Sequence, residues 1–154
     1  MDCCRQEPVD PSEARARLLA QHEELRGIID GAEEMTARLV AGKATGDEVR
    51  RKLAELDRAL HDHNAEEETI LEPLLRTVDA WGPVRIEQML TEHAREHGIF
   101  RQTLDEIVAS PPSHMAGAIR GLVADLRRHI EHEERSFLNP ELLKDDLVTV
   151  TSCS

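Results

Sequence analysis

At 154 residues the chain is one domain with enough material to bury a real core. Aliphatic side chains supply most of its apolar content, charged residues make up 32%, and there are two Phe, one Trp and no Tyr, a balance that suits helix bundles rather than sheets. A formal charge of −12 repels phosphate backbones and anionic lipid, and so few aromatics leave little to stack on bases, which argues against nucleic acid and membrane partners.

The chain begins Met1-Asp2-Cys3-Cys4-Arg5 with no hydrophobic stretch behind it, and no apolar run approaches the roughly 18 residues of a membrane span. Neither a signal peptide nor a spanning helix is expected, and the location expected is cytoplasmic. Residues 1–10 read as a tail. Asp10-Pro11-Ser12-Glu13 then offers an N-cap, a proline at the first helical position and an early acid, and Gly42 can close the helix, which predicts a first helix over 11–41. Thr45-Gly46-Asp47-Glu48 is a capping box, and the apolar pattern behind it predicts a second helix over 46–76, with Pro73 kinking or loosening its last turn. Trp81-Gly82-Pro83 restarts the chain and Ser110-Pro111-Pro112-Ser113 ends the next helix, predicted over 83–109. A fourth helix is predicted over 114–138, before Asn139-Pro140, and 141–154 reads as a second tail. Linkers this short favour an all-α, up-down-up-down antiparallel four-helix bundle over 11–140.

Polar residues stand on the seams of these helices where leucines are expected. The second helix reads Val49, Leu53, Leu56, Leu60, His63, Glu67, Ile70, Leu74, in alternating steps of four and three. The third reads Ile86, Leu90, His93, His97, Phe100, Leu104, Ile107; the fourth Ile119, Leu122, Leu126, His129, Glu133; the first Leu18, His22, Leu25, Ile29. Side chains four apart share one helix face, so His63-x-x-x-Glu67, His93-x-x-x-His97 and His129-x-x-x-Glu133 are each a two-pronged clamp, and His22 is a single prong. A buried imidazole or carboxylate without partners costs several kcal/mol, so something must compensate for seven of them.

Their heights agree. At about 1.5 Å per residue, His22 stands ~16 Å above the start of its helix, and His63 and Glu67 stand ~20 and ~14 Å before the end of theirs. His93 and His97 lie ~15 and ~21 Å into the third helix, and His129 and Glu133 ~14 and ~8 Å before the end of the fourth. In an antiparallel bundle these fall in one layer. Two octahedral ions offer twelve positions. Five imidazoles, two bridging carboxylates and a bridging oxide or hydroxide leave one position open. Mixed imidazole and carboxylate ligation with an exchangeable position suits iron, whereas structural zinc is four-coordinate and commonly takes thiolate, although such a site also accepts zinc or manganese. Glu66, Glu68, Glu131 and Glu134 are expected as a solvated acidic rim, His61, His114 and His132 as solvated or supporting residues off the seams, and Asp125 as an exposed acid one turn before His129.

On these residues the chain resembles hemerythrin-like, or HHE cation-binding, proteins, over nearly all of 12–140. A lone His on the first helix maps to His22. The His-x-x-x-Glu of the second helix, followed by further acids and a proline, maps to His63-Asn64-Ala65-Glu66-Glu67-Glu68 with Pro73, and the His-x-x-x-His of the third to His93 and His97. On the fourth helix the oxygen carriers of the family place a carboxylate five residues after the His, and many bacterial relatives place a Glu four after it. Glu133 fits the bacterial form and is the expected ligand, because Glu134 lies about 100° further round the helix. The resemblance implies two iron ions with a bridging oxide or hydroxide. The apolar neighbours Leu25, Leu60, Phe100 and Leu126 favour a small ligand, and by resemblance this is O2, bound at the open iron position for storage, delivery or sensing. Relatives also imply alternatives: an enzyme turning over peroxide, O2 or nitric oxide, or iron storage and delivery.

The Glu-x-x-His repeats of ferritin-like carboxylate centres are absent, as are Gly-x-Ser-x-Gly and a glycine-rich phosphate loop. Cys3, Cys4 and Cys153 are too few for a disulfide framework and are expected as reduced thiols. In the second tail, Asp146-Leu147-Val148-Thr149-Val150 is a short apolar strip able to dock on a protein partner, and it weakly resembles the C-terminal peptides that load cargo into encapsulin shells.

Overall fold

The computed structural model describes residues 10–143. These form four helices and no strand: α1 (Pro11–Val40), α2 (Gly46–Val78), α3 (Gly82–Ala109) and α4 (Pro112–Arg135). The arrangement is consistent with a four-helix bundle, α1 packing on α2 and α4, and α3 on α2 and α4. The cysteines and the strip at 146–150 lie outside the described residues.

Local chemistry sets the helix ends. The Asp10 carboxylate accepts the Ser12 N–H at 3.3 Å and the Thr45 hydroxyl accepts the Glu48 N–H at 3.2 Å, each satisfying a donor that the first turn leaves free. At the far end of α1, Gly42 takes φ +72° while its N–H reaches the Leu39 carbonyl and that of Lys43 reaches Arg38. This is a Schellman closure, and the left-handed residue in it favours glycine. Gly82 is required for a different reason, since a Cβ there would lie 2.4 Å from the Leu75 carbonyl oxygen and 2.6 Å from that of Arg76. α2 runs on through Pro73 to Val78, beyond the expected end at 76. α4 starts at Pro112 rather than 114 and stops at Arg135 rather than 138. There the Leu138 N–H bonds back to the Glu133 carbonyl, and the turn carries Phe137 and Leu138 into the core.

The seams hold with two local changes. On α3 Met89 is buried and Leu90 is exposed, the reverse of the expectation. Met89 lies about 60° to one side of Ile86 and Leu90 about 40° to the other, so the core at this end of α3 faces the Met89 side. On α2 Leu71 and Leu75 take the buried places, and Leu74 packs at their margin.

Two apolar cores result. One gathers Leu25, Ile29, Leu53, Leu56, Leu104, Leu122 and their neighbours; the other gathers Ala14, Leu18, Leu71, Leu75, Met89 and Phe137 among others. α1, α2 and α3 each pass from one core to the other, α4 packs in the first and hands on to the second through Phe137 and Leu138 just beyond its end, and the seven His and Glu positions fall at or beside these crossings. The helix ends are tied together as well. Arg15 donates to the Leu138 carbonyl at 2.8 Å, and Arg50 donates to the carbonyls of Val108 and Ser110 at 3.0 and 3.2 Å. No described helix is long and apolar enough to cross a membrane.

Candidate metal centre

His22, His63, Glu67, His93, His129 and Glu133 are all buried, and His97 is half-buried beside them. The imidazoles divide into two sets. His22 and His63 stand with ring centroids 4.8 Å apart. His93, His97 and His129 form a triad with centroids separated by 4.7, 5.5 and 6.2 Å. The two carboxylates lie between the sets. Glu67 points Oε2 at His63 Nε2, 2.7 Å away, and at His22 Nε2, 3.5 Å away, while its Oε1 is 3.1 Å from His93 Nε2. Glu133 contacts His129 Nε2 through Oε1, and its Oε2 lies 3.9 Å from His22 Nε2 and 3.8 Å from His93 Nε2. Each carboxylate therefore addresses both sets, as a bridging ligand does.

These polar atoms are close together yet poorly satisfied by one another. Both oxygens of Glu67, both of Glu133, and Nε2 of His93, His97 and His129 are buried without a hydrogen-bond partner among the described residues. Native interiors rarely leave such atoms unpaired, because each costs free energy. The His22–His63 contact is more telling still. The Nδ1 atoms of these two rings face the Glu134 carboxylate and the Gln21 amide oxygen, both acceptors, so each Nδ1 carries a proton, and in the neutral rings that a metal requires each Nε2 keeps its lone pair. The two Nε2 atoms stand 3.2 Å apart, and bare lone pairs at that distance repel. A cation bound by both rings removes the conflict and uses the orphaned oxygens, so the residues present fit a metal. His22, His63, Glu67 and Glu133 offer ligand atoms within 4.8 Å of one another, and so do Glu68, His93 and His97. In the second group Glu68 meets His93 at Nδ1, the side turned away from Glu67, so it serves that ring rather than the centre.

The family model for the hemerythrin HHE cation-binding domain matches residues 13–139. The chain belongs to the hemerythrin HHE family. No curated protein matches it, and neither does any solved structure. Membership in the family and the buried His/Glu cluster together make this a metal-binding site.

Burial and close packing shift the carboxyls and imidazoles of the hemerythrin HHE site in opposite directions. Burial and the adjacent Glu67 charge push the Glu133 carboxyl well above the usual range. Burial acts in the same direction on Glu67, but the adjacent Glu133 carboxyl and the three imidazoles His22, His63 and His93 together outweigh it and hold Glu67 well below that range. The two carboxyls thus titrate apart, Glu133 holding its proton to higher pH than Glu67. Burial lowers His93, yet Glu67, Glu133 and Glu68 together raise it. His97 is lowered to about 3 by burial and by its neighbours His93 and His129, and it presents the neutral imidazole that a metal requires.

A second group of residues supports the rings. Gln21 meets His63 Nδ1 at 2.9 Å, Glu68 meets His93 Nδ1 at 3.2 Å, Glu134 meets His22 Nδ1 at 3.1 Å, and Glu96 contacts His129 Nδ1. A partner on Nδ1 fixes the tautomer and turns Nε2 toward the metal. Glu68 and Glu134 are thus not the solvated rim expected of them. Both point back across a helix interface to an imidazole N–H, and Arg26 of α1 holds Glu134 there as well. Glu66 and Glu131 do sit at the rim, paired with Arg17 and Arg135. Asp125 pairs with Arg128 on the surface, and Glu96, which periodicity did not single out, makes the contact to His129.

Proposed function

We propose that this hemerythrin HHE protein holds two iron ions joined by an oxide or hydroxide, binds O2 reversibly at an open position on one of them, and serves in O2 storage, delivery or sensing. His93, His97 and His129 would hold one ion, His22 and His63 the other, with Glu67 and Glu133 shared. The observation that carries the reading is the three-to-two division of imidazoles around two carboxylates that each reach both sets. When bound, an iron pair cycling between the 2+ and 3+ states supplies two electrons and one exchangeable position for a small ligand. By count that position belongs on the His22–His63 side.

The protein's own part is to hold and to exclude. Leu25, Leu60, Phe100 and Leu126, all buried, keep bulk water from the crossing layer, which protects a reduced centre from proton-assisted loss of electrons. A cavity of about 270 Å³ opens beside the two-imidazole side, with Leu25, Ile28 and Ala59 next to His63 and with Gln21, Glu24, Asp62 and Glu66 making the rest of its wall polar and acidic; it gives a small ligand a way to that side. We also infer an up-down-up-down antiparallel course. It is supported by the alternating order in which successive helices pass the two cores and by the ties of Arg15 to Leu138 and of Arg50 to Val108.

The test is anaerobic reduction of the iron-loaded protein, then O2 addition under a visible spectrometer. Reversible binding produces an absorption band that appears with O2 and vanishes on its removal. Prompt bleaching with net consumption of peroxide, or of nitric oxide when that is supplied, would replace this reading with an enzymatic one. Release of iron to an acceptor protein would replace it with iron handling.

A further inference from the structure

The first helix differs from the other three. α2, α3 and α4 each bring a candidate ligand pair one turn apart, whereas α1 brings His22 alone, and the residue one turn on is Arg26. Arg26 donates Nη1 and Nη2 to the two oxygens of Glu134 at 2.9 and 2.9 Å. The same Glu134 Oε1 accepts from His22 Nδ1 at 3.1 Å. A single carboxylate of α4 therefore ties together both ends of one turn of α1. The fork-to-fork ion pair fixes the plane of that carboxylate, and a carboxylate held by arginine can only accept, so His22 must donate from Nδ1. In the neutral ring Nε2 is then the free ligand atom, 3.5 Å from Glu67 and 3.9 Å from Glu133. His22 is fully buried, while Arg26 and Glu134 are about a quarter exposed at 28% and 26% of their side chains. The clamp thus closes the site from outside.

We propose that Glu134 and Arg26 are a positioning pair that sets the tautomer and orientation of His22, supplying for α1 the second prong that the other helices carry as a ligand. The proposal rests on the reading of His22 as a ligand. It also accounts for the two adjacent glutamates of α4: Glu133 faces the centre, and Glu134, about 100° round the helix, faces α1 and holds the imidazole instead of the metal. Arg26 keeps Glu134 in that place, because a carboxylate bound at both oxygens by a guanidinium is not free to turn inward.

The test uses the full chain, 15N-labelled and loaded with Zn(II) as a diamagnetic probe, in wild type, Glu134→Ala, Glu134→Gln and Arg26→Met. Wild type should show a His22 Nδ1–H resonance protected from exchange with water. Glu134→Ala should lose that resonance and weaken the second zinc by about 10–100-fold, the usual cost of removing a partner behind a ligand. Glu134→Gln should restore both, since its amide oxygen accepts the same hydrogen bond, and Arg26→Met should keep the resonance while weakening zinc by a smaller factor. A Glu134→Ala protein that keeps both the protected proton and wild-type zinc affinity overturns the proposal. So does a Glu134→Gln protein that behaves like Glu134→Ala, which would mark the residue as merely structural. Wild type that takes no second zinc overturns His22 as a ligand; the clamp is then still judged by whether the His22 proton is lost in Glu134→Ala and kept in Glu134→Gln.

Discussion

Replacing Glu67 by Gln keeps the side chain's volume and removes one charge at the point where the two imidazole sets meet. In the wild type, Oε2 lies 2.7 Å from His63 Nε2 and Oε1 lies 3.1 Å from His93 Nε2. An amide offers one weaker oxygen and puts an NH2 group where the other stood, so it cannot span both sets. Metal that binds only the folded state stabilises it by about 2.7 kcal/mol per site when free metal stands at about 100 times Kd. Two sites give about 5 kcal/mol, and at about 2–4 °C per kcal/mol for a chain of this size the loaded protein should melt ~10–20 °C above the chelator-stripped one. In Glu67→Gln that gain should fall by more than half, with metal content dropping from two ions per chain to one or none. The stripped variant should melt at or below stripped wild type, because the neighbours that hold the Glu67 pKa down favour its charged form in the fold, and the amide gives that up. Calorimetry of loaded and stripped samples, with elemental analysis of the same samples, reads both numbers. A Glu67→Gln protein with two ions per chain and an undiminished melting gain would refute the bridging role.

Metal uptake should release protons. The Glu133 pKa is raised in the metal-free fold, so the stabilising protonated form is present below the ordinary carboxylate pKa and is lost as pH rises through the folded value. Binding that needs both carboxylates ionised must expel that proton and must tighten as pH rises. Titration calorimetry at several pH values in buffers of different ionisation enthalpy should show protons released on metal uptake, and no release at any pH above the ordinary carboxylate range would contradict a raised Glu133 pKa. Gly82→Ala places a Cβ 2.4 Å from the Leu75 carbonyl oxygen and should cost about 1–3 kcal/mol through forced backbone shifts, with metal content unchanged; an unaltered melting curve would show that the α2–α3 corner yields freely. Leu126→Ala, at a fully buried position, should cost about 2–5 kcal/mol and hasten autoxidation of the reduced iron-loaded protein while two ions stay bound. An autoxidation rate unchanged from wild type in both this variant and Leu25→Ala would place the exogenous ligand away from both.

Much of this centre is legible from periodicity, because the rule that fills a bundle seam is strict. One residue in three or four must face inward, and His22, His63, Glu67, His93, His97, His129 and Glu133 all stand on those steps. The helix ends are equally local: Asp10, Thr45 and Gly42 act within a few residues of themselves. Leu90 and Leu74 show the limit of the rule. A step of three or of four both stay near one face, and only the neighbouring helix decides whether Met89 or Leu90 is covered.

The orienting residues were beyond that rule because their partners lie on other helices. Gln21 serves a ring on α2, Glu68 a ring on α3, Glu96 a ring on α4 and Glu134 a ring on α1. Each support is thus supplied by a helix other than the one carrying the ring it orients. Two of the four, Glu68 and Glu134, are the residues immediately after a candidate bridging glutamate. A doubled acid at a buried seam position thus has a physical reading: the first carboxylate enters the centre, and the second, about 100° on, reaches back to the Nδ1 of a neighbouring imidazole. The same arrangement carries a consequence for loading. A ring fixed through another helix cannot turn its Nε2 toward the centre until that helix has docked, so His22, His63, His93 and His129 gain their ligand geometry only as the helices assemble. His97 has no such Nδ1 partner among the described residues and rests half-buried against the rings of His93 and His129, which makes it the ring whose orientation depends most on the metal itself.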